Sequence, residues 1–326
     1  MSFISDATQY LNLAENVIPS KHFKAGQIDH ICYRATSTEE YKNLCEQLKT
    51  ESRLLTESDV NGRPISCFFF ADGILSKNNK VHVIEVASPK PGSAHTPGFE
   101  HIEIFSDQPE DKDLHFENVR IKFCDKSLLD IVQDERWEKL KNQLHSSTSI
   151  FNTSSKKTEY KGILKNTQVL EKLSDYNPRI CGTIPLGIAQ PNSDIDIACE
   201  VKDLSAFKQY LQTQFQKYSD FKISATNIHI ACQFKVQNIT VEIYGENIPT
   251  EKQRAYVHMM AEAQLISYTG EWAIDEIRSI KTRGIKTEPA FAEFYGISGD
   301  PYIALYDLYS SASTLRDLSL KRLTKM

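Results

Sequence analysis

Cys181-Gly182-Thr183, a spacer of ten residues, and then Asp194-Ile195-Asp196-Ile197 is the stretch that decides the fold of the second half of the chain. On a strand, residues i and i+2 point to one face. Asp194 and Asp196 therefore project together, while Ile195 and Ile197 enter a core. Two neighbouring carboxylates repel unless a cation lies between them. Hard oxygen donors select Mg²⁺ or Mn²⁺. The Gly182-Thr183 turn upstream can bring backbone N–H groups to a phosphate.

Working outward, Thr240-Val241-Glu242-Ile243-Tyr244 places Glu242 mid-strand between apolar neighbours. A buried charge needs a partner, and a metal shared with Asp194 and Asp196 would supply one. Lys281, Arg283 and Lys286 lie close together and are candidate cations for a triphosphate. His258 and Glu262 stand four apart on one helix face and read as an ordinary helix pair. Around these residues the pattern predicts a helix over 162–175 and strands over 228–236 and 238–244. It also predicts an amphipathic helix over 204–218, and helices from 250 almost to the end.

The Gly-Thr turn, the Asp-x-Asp pair and the later Glu242 resemble the nucleotidyltransferase superfamily that includes DNA polymerase beta-like enzymes, with Thr183 in place of a second glycine or serine. The stretch from about 160 to 310 further resembles a bacterial domain family of unknown function near the nucleotidyltransferases. The pieces that carry this are GTIPLGI (182–188), SDIDI (193–197), VEIYG (241–245), QRAYVHM (253–259), KTEPAF (286–291) and GDPYIAL (299–305). The resemblance implies a mixed sheet with helical flanks and transfer of a nucleotidyl group from a nucleoside triphosphate to an acceptor. It gives Asp194, Asp196 and Glu242 as metal-binding and catalytic residues, with Gly182, Thr183, Lys281 and Lys286 around the nucleotide.

The first half reads as alternating strands. Three of them carry a metal-ligand type each: His30 in IDHICYR (28–34), Glu85 in VHVIEVASP (81–89) and His101 in GFEHIEIF (98–105). Two histidines and one carboxylate suit Zn²⁺, Fe²⁺, Ni²⁺ or Mn²⁺ if the sheet curves to bring them together. Glu103 shares a face with His101 and is a further ligand or a supporting partner. Arg34 and Arg63 are candidates for an anionic ligand near the same cavity.

DHICYR (29–34), LLTESDVNGRPI (54–65), IEVASPKPG (84–92), GFEHIEI (98–104) and VRIKF (119–123) run in the order seen in YecM-like proteins. This half therefore resembles the YecM-like members of the vicinal-oxygen-chelate (glyoxalase) superfamily. The resemblance implies βαβββ modules around a curved sheet, with His30, Glu85 and His101 as metal ligands. Lys122 stands at the fourth ligand position, where a charged amine cannot ligate. The short interval between His101 and Val119 implies that one module has lost its helix.

The two halves differ in charge. Residues 1–150 hold 17 Lys+Arg and 23 Asp+Glu, and residues 151–326 hold 21 and 20, for a total of −5. That balance disfavours a nucleic-acid-coating protein, and 40% hydrophobic content disfavours disorder. The serine-rich run QLHSSTSIFNTSSKK (143–157) has linker composition. It divides the chain into a metal-binding domain over 1–145, a linker over 146–158 and a nucleotidyltransferase-like domain over 159–326. The fold class expected is thus α+β in two domains. Seven cysteines with no Cys-x-x-Cys pair fit reduced thiols. With no apolar run long enough for a membrane span, the expected compartment is the cytoplasm. Two alternatives stand beside nucleotidyl transfer: a small-molecule metalloenzyme centred on the first half, and a non-catalytic ligand-binding protein.

Overall fold

Strand pairing builds two mixed sheets, one in each half of the chain. The computed structural model describes residues 2–19, 27–90, 92, 97–106, 113–145 and 157–325. The chain divides into two compact units, one of residues 1–135 with 323–326 and one of residues 136–322. The segment 146–156, which holds nearly all of the expected linker, lies outside the described residues.

The first unit contains α1 (Phe3–Val17), β1 (Ile28–Arg34), α2 (Thr38–Glu51), β2 (Arg53–Asp59), β3 (Pro64–Leu75) and β4 (Lys80–Ala87). It continues through β5 (Gly98–Phe105), β6 (Leu114–Phe116), β7 (Val119–Cys124) and the start of α3 (Leu128–His145). The seven strands form one open sheet in the order β2-β3-β4-β1-β5-β7-β6. β1-α2-β2-β3-β4 is a complete βαβββ module, closed by parallel pairing of β1 with β4. β5, β6 and β7 form a second, shortened one, with no helix among the described residues between β5 and β7.

Local chemistry fixes these elements. Ser37 caps α2 by accepting the Glu40 N–H at 3.0 Å. Tyr41, Leu44, Cys45 and Leu48, at helical spacing, are its buried face. Asn61 and Gly62 both have positive φ, 55° and 79°, which makes the tight β2–β3 turn. The apolar face of the sheet packs Ile31, Phe68, Ile84, Ile102 and Ile121, all fully buried, against α1 and α2.

The second unit contains α4 (Lys157–Thr167), α5 (Val169–Lys172), β8 (Arg179–Cys181), β9 (Ile195–Glu200), α6 (Leu204–Phe215), β10 (Ser219–Ala225), β11 (His229–Val236) and β12 (Ile239–Glu246). Five helices follow: α7 (Arg254–Thr269), α8 (Trp272–Lys281), α9 (Thr287–Tyr295), α10 (Pro301–Leu308) and α11 (Ala312–Leu323). The helix expected over 162–175 starts earlier and breaks at Gln168, whose φ of 52° is left-handed. The sheet order is β10-β11-β12-β9-β8, with only the central β12–β9 pair parallel. Ile195, Ile197, Val241 and Ile243 line one face and pack on Phe207, Leu211 and Phe215 of α6. The opposite face carries the polar positions. A second core surrounds α7, in which every residue from Tyr256 to Thr269 is buried. The side chains of Trp137, Leu140 and Leu144 from the second half of α3 belong to this core.

Candidate functional site in the second unit

Parallel pairing of β9 and β12 sets Asp196 directly beside Glu242, with Cα atoms one strand spacing apart, about 4.8 Å. Antiparallel pairing of β8 sets Cys181 on the other side of Asp196. The chain then turns at Gly182, where φ is +73°. A Cβ at Gly182 would stand 2.2 Å from Asp196 Oδ2, so only glycine lets the turn approach the carboxylate this closely. Thr183 follows, and its carbonyl accepts the Ile188 N–H at 3.2 Å, holding the turn.

These residues form the floor of a cavity of about 370 Å³, whose lining includes Gly182, Thr183, Asp196 and Glu242. The opposite wall is helical and carries His258, Glu262, Thr287 and Glu288. Asp194 precedes β9 and is not among the lining residues. It is nevertheless near enough to act electrostatically on both carboxylates. Burial, then the charges of Glu242 and Asp194, push the Asp196 carboxyl up to about 7. Burial and Asp194 raise Glu242 as well. This is the signature of carboxylates gathered without a counter-charge between them, and a bound cation reverses it. The all-oxygen donor set fits Mg²⁺ or Mn²⁺. Among the described residues the three carboxylates do not close into a group within 4.8 Å.

The expected cations separate. Lys281 is 8% exposed and donates to Thr287 Oγ1 at 2.7 Å. Burial lowers its pKa against the attraction of Glu262, Glu288 and Asp196. Lys286 is exposed and precedes the first residue of α9. Arg283 is exposed and paired with Glu293.

The helical wall holds His258 and Glu262, read from the sequence as an ordinary helix pair, together with Glu288. Glu262 is 2% exposed, and its Oε1 is buried with no hydrogen-bond partner. Burial, then the nearby Glu288, raises its pKa well above the ordinary carboxylate range. Glu288 is pulled up by burial but held lower overall by the hydrogen bond with His258, whose Nδ1 lies 3.2 Å from Glu288 Oε1. Glu262 lies in a helix buried on every face from Tyr256 to Thr269, which its spacing from His258 does not reveal.

In the first unit, β1 and β5 bring His30, His101 and Glu103 together with ligand atoms within 4.8 Å of one another. Cys32, Glu100 and His101 form a second such group. Glu85 stands outside both, and its Oε1 accepts from the Cys32 thiol at 3.1 Å. Glu103, read from the sequence as a further ligand or a supporting partner, is thus the closer carboxylate. Asp29 Oδ2 lies 2.8 Å from His30 Nδ1 and also accepts the Leu128 N–H at 2.9 Å. That fixes the ring with Nε2 facing Glu103, 3.9 Å away. Burial would lower the His30 pKa, but Asp29 and Glu103 raise it overall. Burial lowers His101, with Lys122 adding to the effect. Lys122 Nζ lies 3.1 Å from His101 Nε2 and 3.8 Å from Glu103 Oε1. The donor set fits a transition metal, and the ammonium occupies the same neighbourhood. Arg34 is buried and paired with Glu100, while Arg63 reaches the Ser88 carbonyl at 3.4 Å.

Residues 3–149 match the family model described as YecM protein. Residues 162–308 match the model of a domain of unknown function, DUF4269. The chain thus joins a YecM-like half to a DUF4269-like half. An uncharacterized protein of Haemophilus influenzae is 33% identical over 90 residues, 28% of this chain and 46% of that protein. The chain therefore spans about half the length of this curated relative. Among solved structures, Structural Genomics protein EC4020 is 21% identical, covering 41% of this chain and 87% of that one, with a TM-score of 0.32. A cytoplasmic RNA terminal U-transferase is 15% identical, covering 54% and 50%, with a TM-score of 0.31. The Cid1 poly(U) polymerase is 15% identical, covering 52% and 54%, with a TM-score of 0.33. No helix among the described residues is long and apolar enough to cross a membrane.

Proposed function

We propose that the second unit is a divalent-metal-dependent nucleotidyltransferase acting on a nucleoside triphosphate. The observation that carries the reading is the pairing of Asp196 and Glu242 on adjacent parallel strands, on a cavity floor closed by Gly182. Mg²⁺ or Mn²⁺ held by Asp196 and Glu242, with Asp194 in support, would neutralise phosphate charge. The backbone N–H groups of the Gly182-Thr183 turn are the phosphate cradle of this reading. Lys281 contributes a buried positive charge nearby, and Lys286 an exposed one. Glu242 or Asp196 would receive the acceptor's proton. All seven cysteines are free thiols, which supports a reducing, cytoplasmic compartment. The test is a panel of labelled nucleoside triphosphates with Mg²⁺, read by equilibrium binding and by transfer. Asp196→Asn and Glu242→Gln should each lower binding or transfer at least tenfold. Normal turnover in the double variant would end this reading.

For the first unit we propose a transition-metal site formed by His30, His101 and Glu103, with Glu85 behind Cys32. The grouping of the three donors favours it. Metal analysis of the full chain, and of His30→Ala with His101→Ala, tests it. Metal retained by the double variant would place the ion elsewhere.

A further inference from the structure

The cavity of the second unit has more acid than the proposed metal chemistry uses. Five carboxylates line it: Asp196, Glu242, Glu246, Glu262 and Glu288. Arg254 is the one guanidinium among the lining residues. If Asp196 and Glu242 hold metal, three carboxylates still face one guanidinium. Among them Glu262 is 2% exposed, with an oxygen buried and unpartnered. A buried carboxyl oxygen without a partner is costly, and the cost is removed when a donor binds there. His258, Glu262 and Glu288 do not form a group within 4.8 Å, so their spacing does not suit one small metal ion. It suits a larger cation with several N–H donors, and about 370 Å³ is room for one.

We infer that Glu262 and Glu288 of the helical wall, with Glu246 at the end of β12, form the acceptor subsite, and that it takes an amine-bearing organic cation rather than an RNA end. This rests on the nucleotidyl-transfer reading above. An RNA strand would set its phosphates against Glu246 and Glu288, with Arg254 the one guanidinium in the lining and Lys281 already donating to Thr287, and like-charge contact is strongly unfavourable. Protonated amines gain charge-assisted hydrogen bonds at the same positions. The step balances simply. A hydroxyl oxygen of the bound amino alcohol bonds to the α-phosphorus of the nucleotide. The bond from that phosphorus to the bridging oxygen breaks, pyrophosphate leaves with the electron pair, and the hydroxyl proton passes to a carboxylate.

The test is calorimetric titration of the full-length protein with spermidine, its N-acetylated form and a ten-nucleotide oligouridine. Spermidine should bind saturably, and acetylation should weaken it at least tenfold. Glu288→Gln and the rim variant Glu246→Gln should each weaken it about tenfold, with thermal melts confirming that both fold. Tighter binding of the oligouridine, no spermidine binding, or spermidine binding unchanged in both variants would overturn the inference. The two readings fail separately. Spermidine binding without any Mg²⁺-nucleotide binding ends nucleotidyl transfer but keeps the cation site. Mg²⁺-nucleotide binding without spermidine binding does the reverse.

Discussion

Gly182 carries two constraints at once, a positive φ and a carboxylate oxygen where a side chain would begin. Alanine there costs about 1–2 kcal/mol in backbone strain, and it must also displace the Asp196 carboxylate from its place beside the turn. Gly182→Ala should therefore weaken Mg²⁺-nucleotide binding at least tenfold while lowering stability by about 1–3 kcal/mol. Binding by fluorescence titration beside a thermal melt separates the two effects. Full binding in a folded variant would show that the turn does not shape the site. The strand positions of Asp196 and Glu242 were legible in the sequence because strand alternation is a strict period, whereas Asp194 precedes β9 and does not line the cavity. Glu262 was not legible. Its four-residue spacing from His258 describes a surface pair as well as a cavity wall, and only the packing of α7 distinguishes them. Lys122 yields a second residue-scale prediction. Its ammonium lies 3.1 Å from His101 Nε2, where it competes with a metal for the same lone pair. Lys122→Met should raise Zn²⁺ affinity of the first unit at least tenfold, measured by competition with a chelating dye. Unchanged affinity would mean that the lysine swings clear at no cost.

At the scale of elements, the sequence showed the strands that bury one face and missed those that do not. β10 reads SDFKISA and is mostly exposed at a sheet edge, so no apolar alternation marks it. β6 has three residues, too few for a period. The helix α1 is fastened by a polar lock that no pattern announces. Glu15 accepts from Asn79 Nδ2 at 2.6 Å, from the Asn78 N–H at 3.1 Å and from the Ser76 hydroxyl, joining α1 to the β3–β4 turn. Burial would raise the Glu15 pKa, but these hydrogen bonds lower it overall. A lowered carboxyl pKa contributes stability above its unfolded value, about 4.3, and that stability is lost as pH falls through the folded value. Glu15→Gln should cost about 1 kcal/mol at pH 7, and the gap to the native chain should shrink below pH 4. A gap constant from pH 7 to pH 3, in melts across that range, would contradict the lock. The β9–β12 core tests the other element of the site. Phe207 is fully buried, lies 4.4 Å from the Tyr176 ring, and fills the space beside Gly245. Phe207→Ala should cost about 3–5 kcal/mol, read by urea unfolding.

At the scale of the whole molecule, composition and packing answer different questions about where the second unit begins. The serine-rich run near 145–158 marks where the chain stops being apolar. The side chains of α3 mark which core a segment joins. Its first half belongs to the first unit and its second half, from Arg136, to the second. Trp137, Leu140 and Leu144 are 4–8% exposed within the core around α7. Removing all three leaves that core with a trench, at about 2–5 kcal/mol per large side chain. The sum, about 6–15 kcal/mol, is comparable with the ~5–15 kcal/mol that usually separates a folded domain from its unfolded chain. Even half of it consumes roughly half of the margin. A fragment of residues 128–326 should therefore unfold cooperatively with a Tm near that of the second unit in the full chain. A fragment of residues 158–326 should melt at least 15 °C lower or fail to fold, since about 1 kcal/mol shifts Tm by 2–4 °C at this size. Differential scanning calorimetry of the two fragments decides the matter. Equal melting temperatures would show that α3 only decorates the second unit, and that the compositional boundary is also the energetic one.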